Sequence, residues 1–170
     1  MLQIVEPFYR AITQARTETE LHRVLHDLAS HFGYRSAVLV DCSRAAIAEG
    51  MLLDTHPERE AWWRRADDHL IEIIHDRMMD RLLVEPMVVL TKAHIAGLTL
   101  HVRDLLAQFD MLEMTLVPMA LGGPLAGCLG FSGTVELTAV QQTALQTICI
   151  NLFVHSRFLQ IGTPENARLH

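Results

Sequence analysis

The chain has 170 residues, half of them apolar and 20% charged, with 14 basic against 20 acidic side chains and a formal net charge of −6. This length and apolar content suit one domain with a sizeable core and exclude a largely disordered chain, while the acidic balance argues against gripping nucleic acid, whose affinity rests on neutralising phosphates. Cys42, Cys128 and Cys149 lack metal-type spacing, the N-terminus shows no basic-then-apolar leader, and no run of about 18 apolar residues occurs; free thiols in a soluble cytoplasmic protein are expected, with no membrane contact.

Along the chain, Ile4, Val5, Phe8, Ile12 and Ala15 recur at helical spacing, and Pro7 is acceptable only near a first turn. A second helix starts at a Thr17 or Thr19 cap, carries the stripe Leu21, Val24, Leu25, Leu28 and Phe32, and stops at Gly33. The run Y-R-S-A-V-L-V-D-C (34–42) reads as a strand, and I-A-E-G-M-L-L-D (47–54) as its hairpin partner. Residues 57–81 have helical patterning, Pro86 breaks it, and M-V-V-L-T (87–91) is a third strand. Leu98 to Phe109 is amphipathic. Two strands then flank Gly122-Gly123, a strong hairpin signal, and Thr138 caps a last helix running from Ala139 to about Leu159. The polar tail 162–170 reads as a linker. The order α-α-β-β-α-β-α-β-β-α, with hairpins toward both ends, predicts an α/β fold of the α+β type, with a central antiparallel sheet of about five strands and helices on its faces.

Catalytic and metal chemistry have little support. Among ten histidines, His22 and His26 share a helix face, but three converging ligands are not evident and no H-E-x-x-H occurs; solvent-facing histidines are the default. There is no G-x-S-x-G elbow, no P-loop and no G-x-G-x-x-G, and Cys128 in mid-strand reads as buried and inert. Asp67 and Asp68 lie beside Arg64 and Arg65 on what reads as a solvated face. The chain is expected not to be an enzyme, and neither metal nor cofactor is expected. The last helix is apolar around much of its circumference, through Leu145, Ile148, Ile150, Leu152, Val154 and Leu159, which suits burial with one flank left for a homodimer contact.

The stretch 60–76, E-A-W-W-R-R-A-D-D-H-L-I-E-I-I-H-D, sets Trp63 thirteen residues before Asp76. An indole N–H only donates and a carboxylate only accepts, so the two could hold opposite ends of a polar head group. The alternative places Trp63 in the core and Asp76 on a solvated helix face.

H-F-G-Y at 31–34, the Trp63-to-Asp76 separation, the spacing from Phe109 to Pro118, the hairpin L-V-P-M-A-L-G-G-P-L-A-G-C-L-G-F-S and the final F-V-H-S-R-F-L-Q-I resemble, in order, the autoinducer-binding domain of LuxR-type quorum-sensing regulators. The resemblance implies an α/β/α sandwich of GAF/PAS-like architecture and a signal such as an acyl homoserine lactone. Trp63 would donate to the lactone carbonyl and Asp76 would accept the amide N–H, with the acyl chain along Val38, Val40, Val89, Leu105 and Met119. The chain departs from the pattern at places where the family has tyrosines, here Arg59 and Asp67. It departs also at Arg77, Met114 and Gly130. Residues 1–161 would form the sensor domain, and 162–170 a linker toward a helix-turn-helix domain lying outside this sequence. DNA would be contacted only through that domain. The alternative is a ligand-free GAF/PAS-like dimerisation module acting as a stand-alone modulator of a full-length regulator.

Overall fold

In a computed structural model, which describes residues 1–43, 50–59, 80–120 and 125–161, the chain opens with helix α1 (Leu2–Gln14). Pro7 lies inside α1, beyond the first turn to which its chemistry would confine it. It forfeits one backbone bond, but Ile4, Val5 and Phe8 pack against the core and Ile12 is buried, so packing holds the helix through it.

Helix α2 (Glu18–His31) begins at a reciprocal cap. The Glu20 amide donates to the Thr17 hydroxyl at 3.2 Å, and the Thr17 amide donates back to the Glu20 carboxylate at 3.1 Å. The Arg16 amide, at 2.7 Å, and then the Thr17 hydroxyl pull the Glu20 carboxyl below its ordinary range. The helix stops as expected. Gly33 sits at φ 84° while its N–H and that of Tyr34 close on Ser30 and Ala29 carbonyls.

The strands are β1 (Ala37–Asp41), β2 (Met51–Asp54), β3 (Val88–Leu90), β4 (Met114–Ala120) and β5 (Leu125–Ser132). They form one antiparallel sheet in the order β2-β1-β5-β4-β3. Between β3 and β4 lie α3 (Lys92–Ile95) and α4 (Leu100–Gln108), and α5 (Ala139–Ile161) follows the sheet. The sequence pattern places a single helix from Leu98 to Phe109; α3 is not anticipated, because four residues are too few to show a period. The expected helix over 57–81 is described only at its ends, where 57–59 and 80–84 are helical. The Gly122-Gly123 turn, part of the 47–54 strand and the tail 162–170 lie outside the described residues.

Each face of the sheet has its own core. On the first, α1, α2 and α5 cover Leu39, Val117, Met119, Leu129 and Phe131. A Cβ at Gly127 would enter the Phe153 ring of α5, so glycine there sets how closely α5 lies on β5. Arg157 of α5 reaches the buried Asp41 at 3.3 Å. On the second face, Ile95 of α3 and Val102 and Leu106 of α4 pack over Val38, Val88, Leu90, Met114 and Leu116. No helix among the described residues is long and apolar enough to cross a membrane.

Candidate functional site

Strand alternation sorts the second face into three zones. Ser36, Val38 and Val40 follow one another on or just before β1, and Ser132, Gly130 and Cys128 run antiparallel beside them on β5.

The first zone is polar and closed. Arg59, just after β2, has no exposed surface, and its guanidinium forks onto Asp54 through Nε to Oδ2 at 2.7 Å and Nη2 to Oδ1 at 2.8 Å. Nη2 also donates to Ser36 Oγ at 3.3 Å, while Nη1 donates to Ser132 Oγ at 3.0 Å and the Phe109 carbonyl at 3.2 Å. The five N–H donors of an arginine are thereby all used. Ser36 Oγ donates in turn to Ser132 Oγ at 2.8 Å. Asp54 accepts from the His56 amide at 2.8 Å, and its own carbonyl lies 2.7 Å from His22 Nε2. A buried charge without partners would be prohibitive; here two ions, two hydroxyls and a carbonyl satisfy one another. Beside this cluster, Arg35 grips Asp110, a residue at φ 58°, through two bonds of 2.6 Å that tie the end of α4 to the approach to β1.

The second zone is closed by packing. A Cβ on Gly130 would meet Met114 Cε at 2.8 Å, Leu116 Cδ2 at 3.2 Å and Val38 Cγ1 at 3.3 Å, so these side chains already occupy the space above the glycine.

The third zone is apolar, rich in sulfur and only partly buried. Val40 pairs with Met51 across to β2 and with Cys128 across to β5. Cys42, one residue past β1, donates its N–H to the Ala126 carbonyl at 3.0 Å. All four side chains pack at the margin of the second core. Burial pushes the Cys42 thiol up to about 11, and burial, with Cys42 close enough to add to it, drives Cys128 higher still. Both therefore stay protonated near neutrality.

Of the residues the sequence pointed to, Val38, Val40 and Leu105 come together at the second core. Met119 does not. It alternates with Val117 on the opposite face and is 1% exposed beneath the other helical layer. Val89 does not either: Val88 and Leu90 turn inward, so the residue between them faces out and is 38% exposed. Trp63 and Asp76 lie outside the described residues, as do Asp67 and Asp68. His22, expected to face solvent, instead meets the Asp54 carbonyl. Cys128 is not wholly buried, although its thiol is held protonated. Among the described residues no group of three His, Cys, Asp or Glu side chains is placed to hold a metal. Sequence reasoning noticed Arg59 only as a departure from a family pattern. Its partnership with Asp54, five residues earlier, was the signal available, and it needed Ser36 and Ser132 to be recognised.

No family model matches the chain, and no curated protein matches it in sequence. Solved structures do match in fold. The N-acylhomoserine lactone dependent LuxR family transcription factor CepR2 from Burkholderia cenocepacia aligns over 92% of both chains, with TM-score 0.59 and 20% identity. Escherichia coli SdiA aligns over 95% of this chain and 69% of its own, with TM-score 0.70 and 11% identity. The GAF domain of an Acinetobacter phosphoenolpyruvate-protein phosphotransferase aligns over 95% of both, with TM-score 0.55 and 13% identity. At these identities the likeness is one of architecture: the chain has an α+β fold, with helices on both faces of a five-stranded antiparallel sheet, shared by a LuxR-family factor and a GAF domain.

Proposed function

We propose that this chain is the ligand-sensing and dimerisation domain of a LuxR-type bacterial transcription regulator. It would take an acyl homoserine lactone-like or other small amphipathic signal. In this reading residues 1–161 form the sensor, 162–170 lead toward a helix-turn-helix domain that would contact DNA, and the protein works in the cytoplasm without catalysing a reaction. The observation that carries it is the second core. One face of the sheet is covered by α1, α2 and α5, and the other carries a separate apolar core under α3 and α4. An N-acylhomoserine lactone dependent factor shares that architecture. Within the reading, Trp63 and Asp76 hold the head group, while Val38, Val40 and Leu105 contribute apolar contacts. The dimer contact would use the flank of α5 where Ile150, Val154 and Phe158 stand exposed at spacings of four.

Calorimetric titration and thermal shift with acyl homoserine lactones of graded chain length test the sensor claim. Binding that weakens on Asp76→Asn supports the head-group assignment. No heat and no shift with any member of the series would remove the sensor claim.

A second reading has its own observation. The packed space over Gly130 and the closed network around Arg59 also suit a GAF-like module that binds nothing and serves only to pair. A dimer by light scattering together with silence in every titration would favour it.

A further inference from the structure

We propose that Cys42, Cys128 and Met51 form a binding site for a soft monovalent metal ion, Cu(I). Two thiols and a thioether from three neighbouring strands meet on one side of the sheet. The inference does not rest on the sensor reading: it holds whether or not the domain also takes an organic signal.

Strand register brings the three sulfurs together. Cys128 lies directly across from Val40, and the Cys42 amide donates to the Ala126 carbonyl at 3.0 Å, so Cys42 is the diagonal neighbour of Cys128. Both pack at the second core, as does Met51, which pairs with Val40 from the other side. Diagonal partners in an antiparallel pair have Cα atoms about 7–8 Å apart. Most disulfides need roughly 4.4–6.8 Å, so the two thiols are not placed to oxidise to each other. The wider gap suits a metal bridge, because two metal–sulfur bonds of about 2.3 Å hold the sulfurs up to about 4.6 Å apart. Met51, unbranched and flexible, has the reach to bring a third sulfur past Val40.

The donor set selects the ion. Thiolate and thioether sulfur are soft donors that favour Cu(I), an ion that needs only two or three of them. Structural zinc takes four ligands, and no group of three His, Cys, Asp or Glu side chains converges among the described residues. The three sulfurs sit at the margin of an apolar core, where a monovalent ion costs less to desolvate than a divalent one. Burial keeps both thiols protonated near neutrality, so binding displaces one proton from each, and the two thiolates take the metal in their place. All three side chains are partly exposed, which leaves the ion a way in.

The test uses the full chain, reduced and free of oxygen, with Cu(I) offered in competition with bathocuproine disulfonate. Methionine methyl groups are labelled by 13C, the Met51 signal being assigned through Met51→Leu. The expected result is one Cu(I) held per chain, two protons released on binding, and a shift of the Met51 methyl signal that leaves those of Met114 and Met119 in place. Cys42→Ala and Cys128→Ala should each weaken binding by about 100-fold or more, and Met51→Leu by about tenfold, while Cys149→Ala leaves it unchanged. Circular dichroism checks that each variant is folded, and Met51→Leu, which conserves volume, keeps the site open to test if a cysteine variant unfolds. Cu(I) held undiminished by the Cys42→Ala/Cys128→Ala double variant would overturn the site, as would a Met51 methyl signal unmoved by bound Cu(I). A chain that yields all its Cu(I) to an equimolar competitor would overturn it too, leaving three sulfur side chains that only fill space.

Discussion

Removing the Arg59 guanidinium is the sharpest perturbation of this fold. Arg59→Met keeps an unbranched chain of similar reach but deletes the five N–H donors that serve Asp54, Ser36, Ser132 and the Phe109 carbonyl. Asp54 is 1% exposed, so water cannot replace the lost cation without opening the end of the sheet. Breaking a buried pair from one side costs about 3–5 kcal/mol. In a domain of this size that corresponds to a Tm lower by roughly 6–20 °C. Asp54→Leu should cost a similar amount, with the His56 amide bond lost as well. The double variant removes both charges, while Ser36 and Ser132 still hold each other. It should therefore be more stable than either single variant, with a coupling energy of roughly 2 kcal/mol or more. Urea unfolding followed by circular dichroism on all four proteins closes the cycle. Single-variant costs below about 1 kcal/mol, or costs that simply add, would refute the account of this cluster as one closed ionic unit.

Gly127→Ala should destabilise by about 1–3 kcal/mol, because its methyl group enters the Phe153 ring, and Phe153→Leu should recover part of that loss; equal costs with and without the second change would contradict the contact. Gly33→Ala forces a side chain into left-handed backbone at φ 84° and should cost about 1–2 kcal/mol by denaturant titration. Raising the Cys42 thiol from 9.0 to about 11 lowers its thiolate population near neutral pH about 100-fold, so iodoacetamide should modify it far more slowly than a free cysteine. The rate should climb with pH until about 11, and a plateau already reached near pH 9 would count against burial of that thiol. The same shift makes the protonated fold the favoured one, so this thiol's contribution to stability is present below pH 9 and declines as pH rises toward 11.

Elements whose period and punctuation agree were legible in the chain. Thr17 and Gly33 bracket α2 as their chemistry requires, and Thr138 opens α5, its hydroxyl accepting from the Gln141 amide at 3.3 Å. β4 and β5 showed as apolar runs around a glycine turn signal. Facing was harder. In Val88-Val89-Leu90 every residue is apolar, so the phase of the alternation is set only by pairing with β4, and Val89 points out although the resemblance puts it inside. Met119 failed for the same reason, within L-V-P-M-A-L. The Arg59 cluster was hard to read because its members come from four separate stretches of chain, and its one local sign, Asp54 five residues before Arg59, does not tell that every donor has a buried partner. On the second face, the resemblance named Val38, Val40 and Leu105 but not Cys42, Met51 or Cys128, which strand register and the Cys42 bond to Ala126 bring beside Val40.

The order of the strands also governs how the chain can assemble. β1 lies between β2 and β5, and β5 is among the last parts of the domain to be synthesised; likewise α1 packs against α5, at the opposite end of the sequence. A nascent chain emerging N-terminus first therefore holds Leu39 without its β5 neighbour and Ile12 without α5 until residues beyond 125 are available. Closing such long loops is entropically slow, and exposed strand edges invite association in the meantime. Chains ending before residue 139 should accordingly accumulate as aggregates rather than as a smaller folded core.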